Sequence, residues 1–249
     1  MSRVAIVTGG SRGIGAAICR RLASDGFKVA VTFHSRPEAA EEIAAEIVRG
    51  GGAAIAVGGD VSRSADVVRM VERVRGELGP IAVLVNNAAV TDCHKPWTEI
   101  DEEEWNRVLA VNLSSCFHCF RAVYPDMQAA GWGRVINISS VTVHLGRPNL
   151  VHYVASKAGM IGFTRSLARE VGRDGITVNA VTPGAIQTEA ELELFPDQEG
   201  IAEWLGREQA VPRRGLPGDI ADAVAWLASD GSGFVSGQTI NVDGGWAMV

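Results

Sequence analysis

Short β-branched runs alternate with longer amphipathic segments along nearly the whole chain, and this alternation restricts the fold more than any other feature. Arg3–Thr8 (RVAIVT), Lys28–Phe33 (KVAVTF), Ala53–Val57, Ile81–Val85, Arg134–Ile138, Ile176–Val181 and Thr239–Val242 read as buried strands. Between them, helical spacing of apolar residues marks Ala16–Ser24, Pro37–Arg49, Ser64–Leu78, one long helix over Trp105–Gln128, Val154–Val171 and Pro217–Leu227. Strands joined through helices of that length pair in parallel, because a parallel neighbour needs a long crossover. The expected class is α/β: a doubly wound parallel sheet with helices on both faces. Glu189–Arg214 interrupts the pattern. Insertions after the carboxyl end of a strand tend to cover the binding crevice, so 189–214 is read as a substrate lid.

No linker, low-complexity stretch or charge block divides the 249 residues, 47% of them hydrophobic, which fits one domain over 1–249. A formal net charge of −6 argues against a nucleic-acid surface, which needs a basic stripe. The 4 cysteines form no disulfide framework, as suits a reducing cytoplasm. The chain runs from Met1 into an apolar strand with no room for a signal peptide, and no apolar run approaches the ~18 residues of a membrane span. A cytoplasmic protein without nucleic-acid or membrane partners is expected.

Thr8–Gly15 (TGGSRGIG) lies between the first strand and the first helix. Glycine there lets the backbone approach a pyrophosphate, while the helix N-terminus offers free N–H donors and partial positive charge. Gly9, Ser11, Arg12, Gly13, Ile14 and Gly15 are the candidate phosphate cradle. Much further on, Tyr153 and Lys157 stand four residues apart, thirteen and seventeen residues after Ser140. A four-residue helical step puts both side chains on one face. A phenol beside an ammonium is expected to release its proton more readily than a free phenol. With a hydroxyl nearby, that is a proton donor suited to carbonyl reduction.

Together with Asn86-Asn87-Ala88 and Pro183-Gly184, these motifs occur in the order of the short-chain dehydrogenases/reductases, which the chain resembles from end to end. It is most similar to the branch containing 3-oxoacyl-carrier-protein reductases. The resemblance implies a Rossmann-type sheet of about seven strands and, commonly, a homotetramer; the apolar ending Gly237–Val249 resembles the family's tetramer-forming C-terminus. It implies Tyr153 as general acid and base, Ser140 bound to the substrate oxygen, and Lys157 on the nicotinamide ribose, lowering the pKa of Tyr153. Asn112 would organise a water linking Lys157 to solvent. Asp60 and Val61 would contact the adenine, and Asn87 and Ala88 the cofactor. Pro183, Gly184, Ile186 and Thr188 would hold the nicotinamide half. One departure is Ala89, where the family usually has Gly; its methyl is expected to crowd the site or to demand a different backbone. No metal is implied.

An NAD enzyme commonly ends its second strand on a carboxylate for the adenosine ribose. Here Phe33 is followed by His34, Ser35 and Arg36, and with Arg12 these suit a 2′-phosphate. NADP(H) is the expected cofactor, with NAD possible in principle. Glu189, Glu191, Glu193, Asp197 and Glu199 make the first part of the lid acidic, which would repel an acidic carrier protein or a CoA ester. The neighbourhoods where relatives present basic residues to the carrier hold Gly131, Arg134 and Arg173 beside Asp174. Leu192, Leu194, Phe195, Trp204 and Leu205 would give the lid an apolar inner face. A neutral, moderately apolar ketone or its alcohol is the expected small-molecule substrate, with 3-oxoacyl esters as the alternative. A catalytically silent NADPH sensor is disfavoured by the presence of Ser140, Tyr153 and Lys157. An extended-branch sugar-nucleotide epimerase would need a longer chain. Cys116 and Cys119 are read as core residues of a helix. Asp92, Cys93, His94, His144 and His152 are weaker candidates for the substrate cleft.

Overall fold

The computed structural model describes the chain except Met1, Asp92, Phe195 and Pro196, and the side chains of Glu193 and Leu194. Seven strands form one sheet: β1 (Val4–Val7), β2 (Lys28–Phe33), β3 (Ala53–Gly58), β4 (Ile81–Asn86), β5 (Gly133–Ile138), β6 (Ile176–Pro183) and β7 (Thr239–Val242). Their order is β3-β2-β1-β4-β5-β6-β7, with every pair parallel. The helices between them are α1 (Gly13–Ser24), α2 (Pro37–Arg49), α3 (Ser64–Leu78), α4 (Glu102–Leu109), α5 (Ser115–Ala130), α6 (Thr142–Leu145), α7 (Val151–Val171), α8 (Glu189–Leu194), α9 (Gln198–Glu208) and α10 (Pro217–Ala228). The result is a single Rossmann-like α/β domain.

Alternation along each strand divides the core into two layers. Ala5 and Val7 of β1 join Val29, Val31, Val83 and Val85 beneath α1, α2 and α10. Val4 and Ile6 point the other way, with Leu84, Val135 and Val178, against α3, α5 and the end of α7. Each buried Val, Leu or Ile contributes about 1.5–3 kcal/mol relative to exposure, so the two layers carry most of the stability. Chain order reverses between β1 and β4, and the crevice at the carboxyl ends of strands beside such a reversal is where open α/β sheets bind ligands.

The long helix expected over Trp105–Gln128 is instead two helices, α4 and α5, joined by a π-helical turn at Ala110–Ser114. Asn112 lies in that turn, fully buried. Its side chain accepts from Val90 N at 2.8 Å and donates to Val90 O at 3.3 Å and Ser156 Oγ at 3.1 Å. These long-range bonds offset the cost of the irregular turn, and such turns concentrate at functional sites.

Candidate active site

Two groups of residues stand along the carboxyl edge of the sheet. The first surrounds a cleft of about 510 Å³ lined by Gly9, Ser11, Arg12, Gly13, Ile14, Gly15, His34, Ser35, Arg36, Asp60, Val61, Asn87 and Ala88, with Thr188 opposite. The glycines are needed where they stand. A Cβ on Gly15 would sit 2.1 Å from Gly9 O, one on Gly9 would lie 3.0 Å from Ala88 Cα, and Gly13 has φ +52°. Thr8 and Asn87 fix the loop to the end of β4. Thr8 Oγ1 accepts from Asn87 N at 2.9 Å and Ala88 N at 3.0 Å, and Asn87 Nδ2 donates to Thr8 O at 2.9 Å and Gly9 O at 3.0 Å. The helix α1 begins with no side-chain cap, leaving its first amides toward the cleft. This concave, glycine-lined cradle with guanidinium groups at its rim fits a phosphorylated dinucleotide.

Burial tends to raise the pKa of Asp60, but hydrogen bonds from Ser62 N and Ser62 Oγ outweigh it and hold the carboxyl below the usual range. Asp60 is therefore ready to accept hydrogen bonds. Ala89 lines the same cleft, and its backbone is not left-handed, so the residue needs no glycine-like conformation. Thr91, Arg107 and Val111 also line the cleft, as does Glu189; sequence reasoning assigned them no cofactor role. Pro183 ends β6; Gly184 and Ile186 follow it and line a smaller hollow of about 190 Å³ rather than the cleft, and Ile186 bridges in parallel to Gly215.

The second group stands at the ends of β5 and α7. Ser140 Oγ accepts from Thr142 N at 3.3 Å and Thr142 Oγ1 at 2.9 Å, which leaves its own proton for another acceptor. The Tyr153 hydroxyl is hydrogen-bonded to it. Lys157 is buried along the same face of α7, its Nζ 5.8 Å from the Tyr153 ring centre. Ser139 Oγ donates to Lys157 O at 2.9 Å and locks α7 to the end of β5.

The expected tuning of the phenol is not what this structure shows. Burial pushes Tyr153 up to about 12, only partly offset by the Ser140 hydrogen bond. Burial also draws Lys157 down to about 8, and its Nζ donates to Ile138 O at 2.7 Å. Desolvation penalises both charged forms and outweighs the Ser140 interaction at Tyr153 and the Cys116 interaction at Lys157. A stability signature follows. Below its ordinary value of 10.5, Lys157 gives up its proton sooner folded than unfolded, so its contribution to stability rises between about pH 8 and 10.5. Tyr153, raised from 10, contributes stability that is lost as pH climbs through about 12. Urea midpoints should therefore rise from pH 8 to 10, and Lys157→Met should flatten that rise. An equal slope in the variant would contradict the assignment.

The remaining candidates separate by position. His152 is fully buried, its Nε2 3.3 Å from Glu104 Oε1, facing α4 rather than a cleft. Cys93 is buried against Val108 and Leu150 beside Tyr153, and His94 is exposed, its pKa lowered by burial and then by Arg147. His144 is half-buried. Asp92 lies outside the described residues. Cys116 and Cys119 are buried in α5, and burial pushes both thiols up, that of Cys116 to about 11. In the lid, Glu191 pairs with Arg214 at 2.6 Å, and Arg214 Nη1 donates to Gln198 Oε1 at 3.0 Å. The acidic first part of the lid is thus less negative than its five carboxylates alone suggest. Leu205 is buried and Trp204 meets Trp246 edge-on at 5.3 Å. Leu192 is exposed, and the Leu194 side chain and Phe195 are outside the described residues.

A glycine cradle at the sheet reversal and a Ser–Tyr–Lys group at the neighbouring strand ends define a nucleotide-dependent oxidoreductase of the α/β class. A family model described as enoyl-(acyl carrier protein) reductase matches residues 9–247. The chain is 42% identical over 250 residues to an acetoacetyl-CoA reductase of Shinella zoogloeoides, covering 100% of both chains. It is 38% identical over 248 residues to a 3-oxoacyl-(acyl-carrier-protein) reductase of Staphylococcus epidermidis, again over 100% of each. The solved gluconate 5-dehydrogenase of Burkholderia cenocepacia, in complex with NADP and tartrate, superposes with TM-score 0.91 at 32% identity, over 99% of this chain and 96% of that one. The protein belongs to the short-chain dehydrogenase/reductase family.

Proposed function

We propose that the protein interconverts a ketone and a secondary alcohol with NADP(H), and that Tyr153 is its general acid and base. The observation that carries this is the hydrogen-bonded Ser140–Tyr153 pair beside buried Lys157, on the same sheet edge as the glycine cradle. When bound, NADPH supplies a hydride to the carbonyl carbon. Negative charge then develops on the carbonyl oxygen, and the Tyr153 hydroxyl delivers a proton to it while Ser140 donates a hydrogen bond. Held neutral by burial, Tyr153 is in the proton-donating form across the physiological range. Lys157 binds the nicotinamide ribose, and Asn112, anchored between Val90 and Ser156, supports the path that replaces the proton. Gly9, Ser11, Arg12, Gly13, Ile14 and Gly15 would hold the phosphates; His34, Ser35 and Arg36 would take the 2′-phosphate; Asp60 and Val61 would contact the adenine, and Asn87 and Ala88 the cofactor beside them. Pro183, Gly184, Ile186 and Thr188 would hold the nicotinamide half. The NADP held by the gluconate 5-dehydrogenase supports this choice of cofactor.

The substrate favoured is a free small ketone, taken beneath the 189–214 lid. A second reading, a 3-oxoacyl thioester, is supported by the names of the bacterial relatives. Against a carrier-bound substrate, Arg134 is buried, its guanidinium 4.2 Å from the Trp132 ring centre. Of these two basic positions only Arg173 is exposed, beside the carboxylate of Asp174, which is an incomplete patch for an acidic carrier. Steady-state rates on simple ketones and on a 3-oxoacyl carrier protein separate the readings. The free ketone should turn over; efficient reduction of the carrier substrate alone would reverse the choice. No helix among the described residues is long and apolar enough to cross a membrane, and a cytoplasmic location is proposed. Exposed Met248 and Val249 at the C-terminus support assembly as a homotetramer, and a monomeric mass in solution would contradict it.

A further inference from the structure

The first residue of α8, Glu189, reaches across the cofactor cleft to the first residue of α1. A Cβ placed on Gly13 would lie 3.7 Å from Glu189 Oε2 and 3.3 Å from Thr188 Cγ2, and Glu189 lines the cleft beside Arg12 and Gly13. The amides that open α1 have no side-chain cap and carry partial positive charge. The charge of Glu189 is felt along α1 at Arg20, although the main partner of Arg20 is Glu46. The carboxylate thus stands beside the opening of α1, next to the glycine cradle that would receive phosphate oxygens, and two anions that close repel one another.

We infer that Glu189 is an anionic placeholder at the pyrophosphate site, one that the cofactor must displace and that sets its affinity. The inference rests on the nicotinamide-cofactor reading above. Displacement of Glu189 also bears on the start of the lid, because the same short helix is held at its first turn by Glu191 N donating to Thr188 Oγ1 and is paired through Glu191 with Arg214 at the lid's far end.

NADPH dissociation constants, read by fluorescence, test it in wild type, Glu189→Gln and Glu203→Gln. Glu203 is an exposed lid acid paired with Arg207 and serves as the charge control. Glu189→Gln should bind NADPH about three- to tenfold more tightly at low salt, and the gain should shrink at high salt. Adenosine 2′-monophosphate, which has no pyrophosphate, should bind both proteins equally. Equal or weaker NADPH binding by Glu189→Gln would overturn the inference, as would the same gain in Glu203→Gln or for adenosine 2′-monophosphate. If wild type and variants all fail to bind NADPH, the cofactor reading fails first and takes the inference with it.

Discussion

Tyr153→Phe is expected to bind NADPH as wild type does and to lose ketone reduction by about 10²- to 10⁴-fold, the usual weight of a general acid. The substitution removes one oxygen and leaves the ring against Cys93, Val108 and Leu150. Stability and the distant glycine cradle should therefore be little affected. The lost hydroxyl is the group hydrogen-bonded to Ser140, and no other tyrosine can replace it: Tyr124, the only other one in the chain, donates to Asp174 at 2.9 Å from within α5. Single-turnover NADPH oxidation with a ketone, run beside a fluorescence titration of NADPH, checks both halves. Unchanged turnover would show that the proton comes from elsewhere. Loss of binding along with turnover would assign Tyr153 to cofactor recognition instead.

Arg36→Ala should weaken NADPH by about 10- to 100-fold and leave NADH nearly unchanged. Charge-assisted hydrogen bonds to a buried or half-buried anion are worth about 1.5–3 kcal/mol, which corresponds to that factor. Arg36 precedes α2 without capping it, so its side chain is not committed to the helix. It lines the cleft with His34 and Ser35, just beyond the end of β2, where Phe33 lies against Gly58 and no carboxylate competes for a ribose. Michaelis constants for the two coenzymes give the answer. Equal losses for both would mean that Arg36 acts on a shared part of the dinucleotide.

The sheet could be read from the sequence because each strand is a short apolar run bounded by a helix of opposite periodicity, and every one of the seven appears in the structure. The glycine loop was legible for a related reason: backbone approach to phosphate demands residues without a Cβ, and Gly15 has no space for one. What escaped depends on contacts distant in sequence. The π-helical turn at Ala110–Ser114 interrupts no apolar repeat, and it is held by Asn112 bonds to Val90 and Ser156 that a one-dimensional pattern does not contain. The pairing of one lid acid also escaped, because Arg214, which neutralises Glu191, lies at the far end of the insertion. The tuning of Tyr153 was misjudged because helical spacing places Lys157 on the same face but does not report burial, which governs both groups here.

In the proposed reaction a hydride passes from the cofactor in the glycine cradle to a carbonyl held by Ser140 and Tyr153. It is tested most directly by supplying NADPH deuterated on the transferring carbon together with a panel of small ketones. Wild type should form a secondary alcohol carrying deuterium on its carbinol carbon, and Tyr153→Phe should form none. NADPH that binds but returns no deuterium to any ketone of the panel would contradict it.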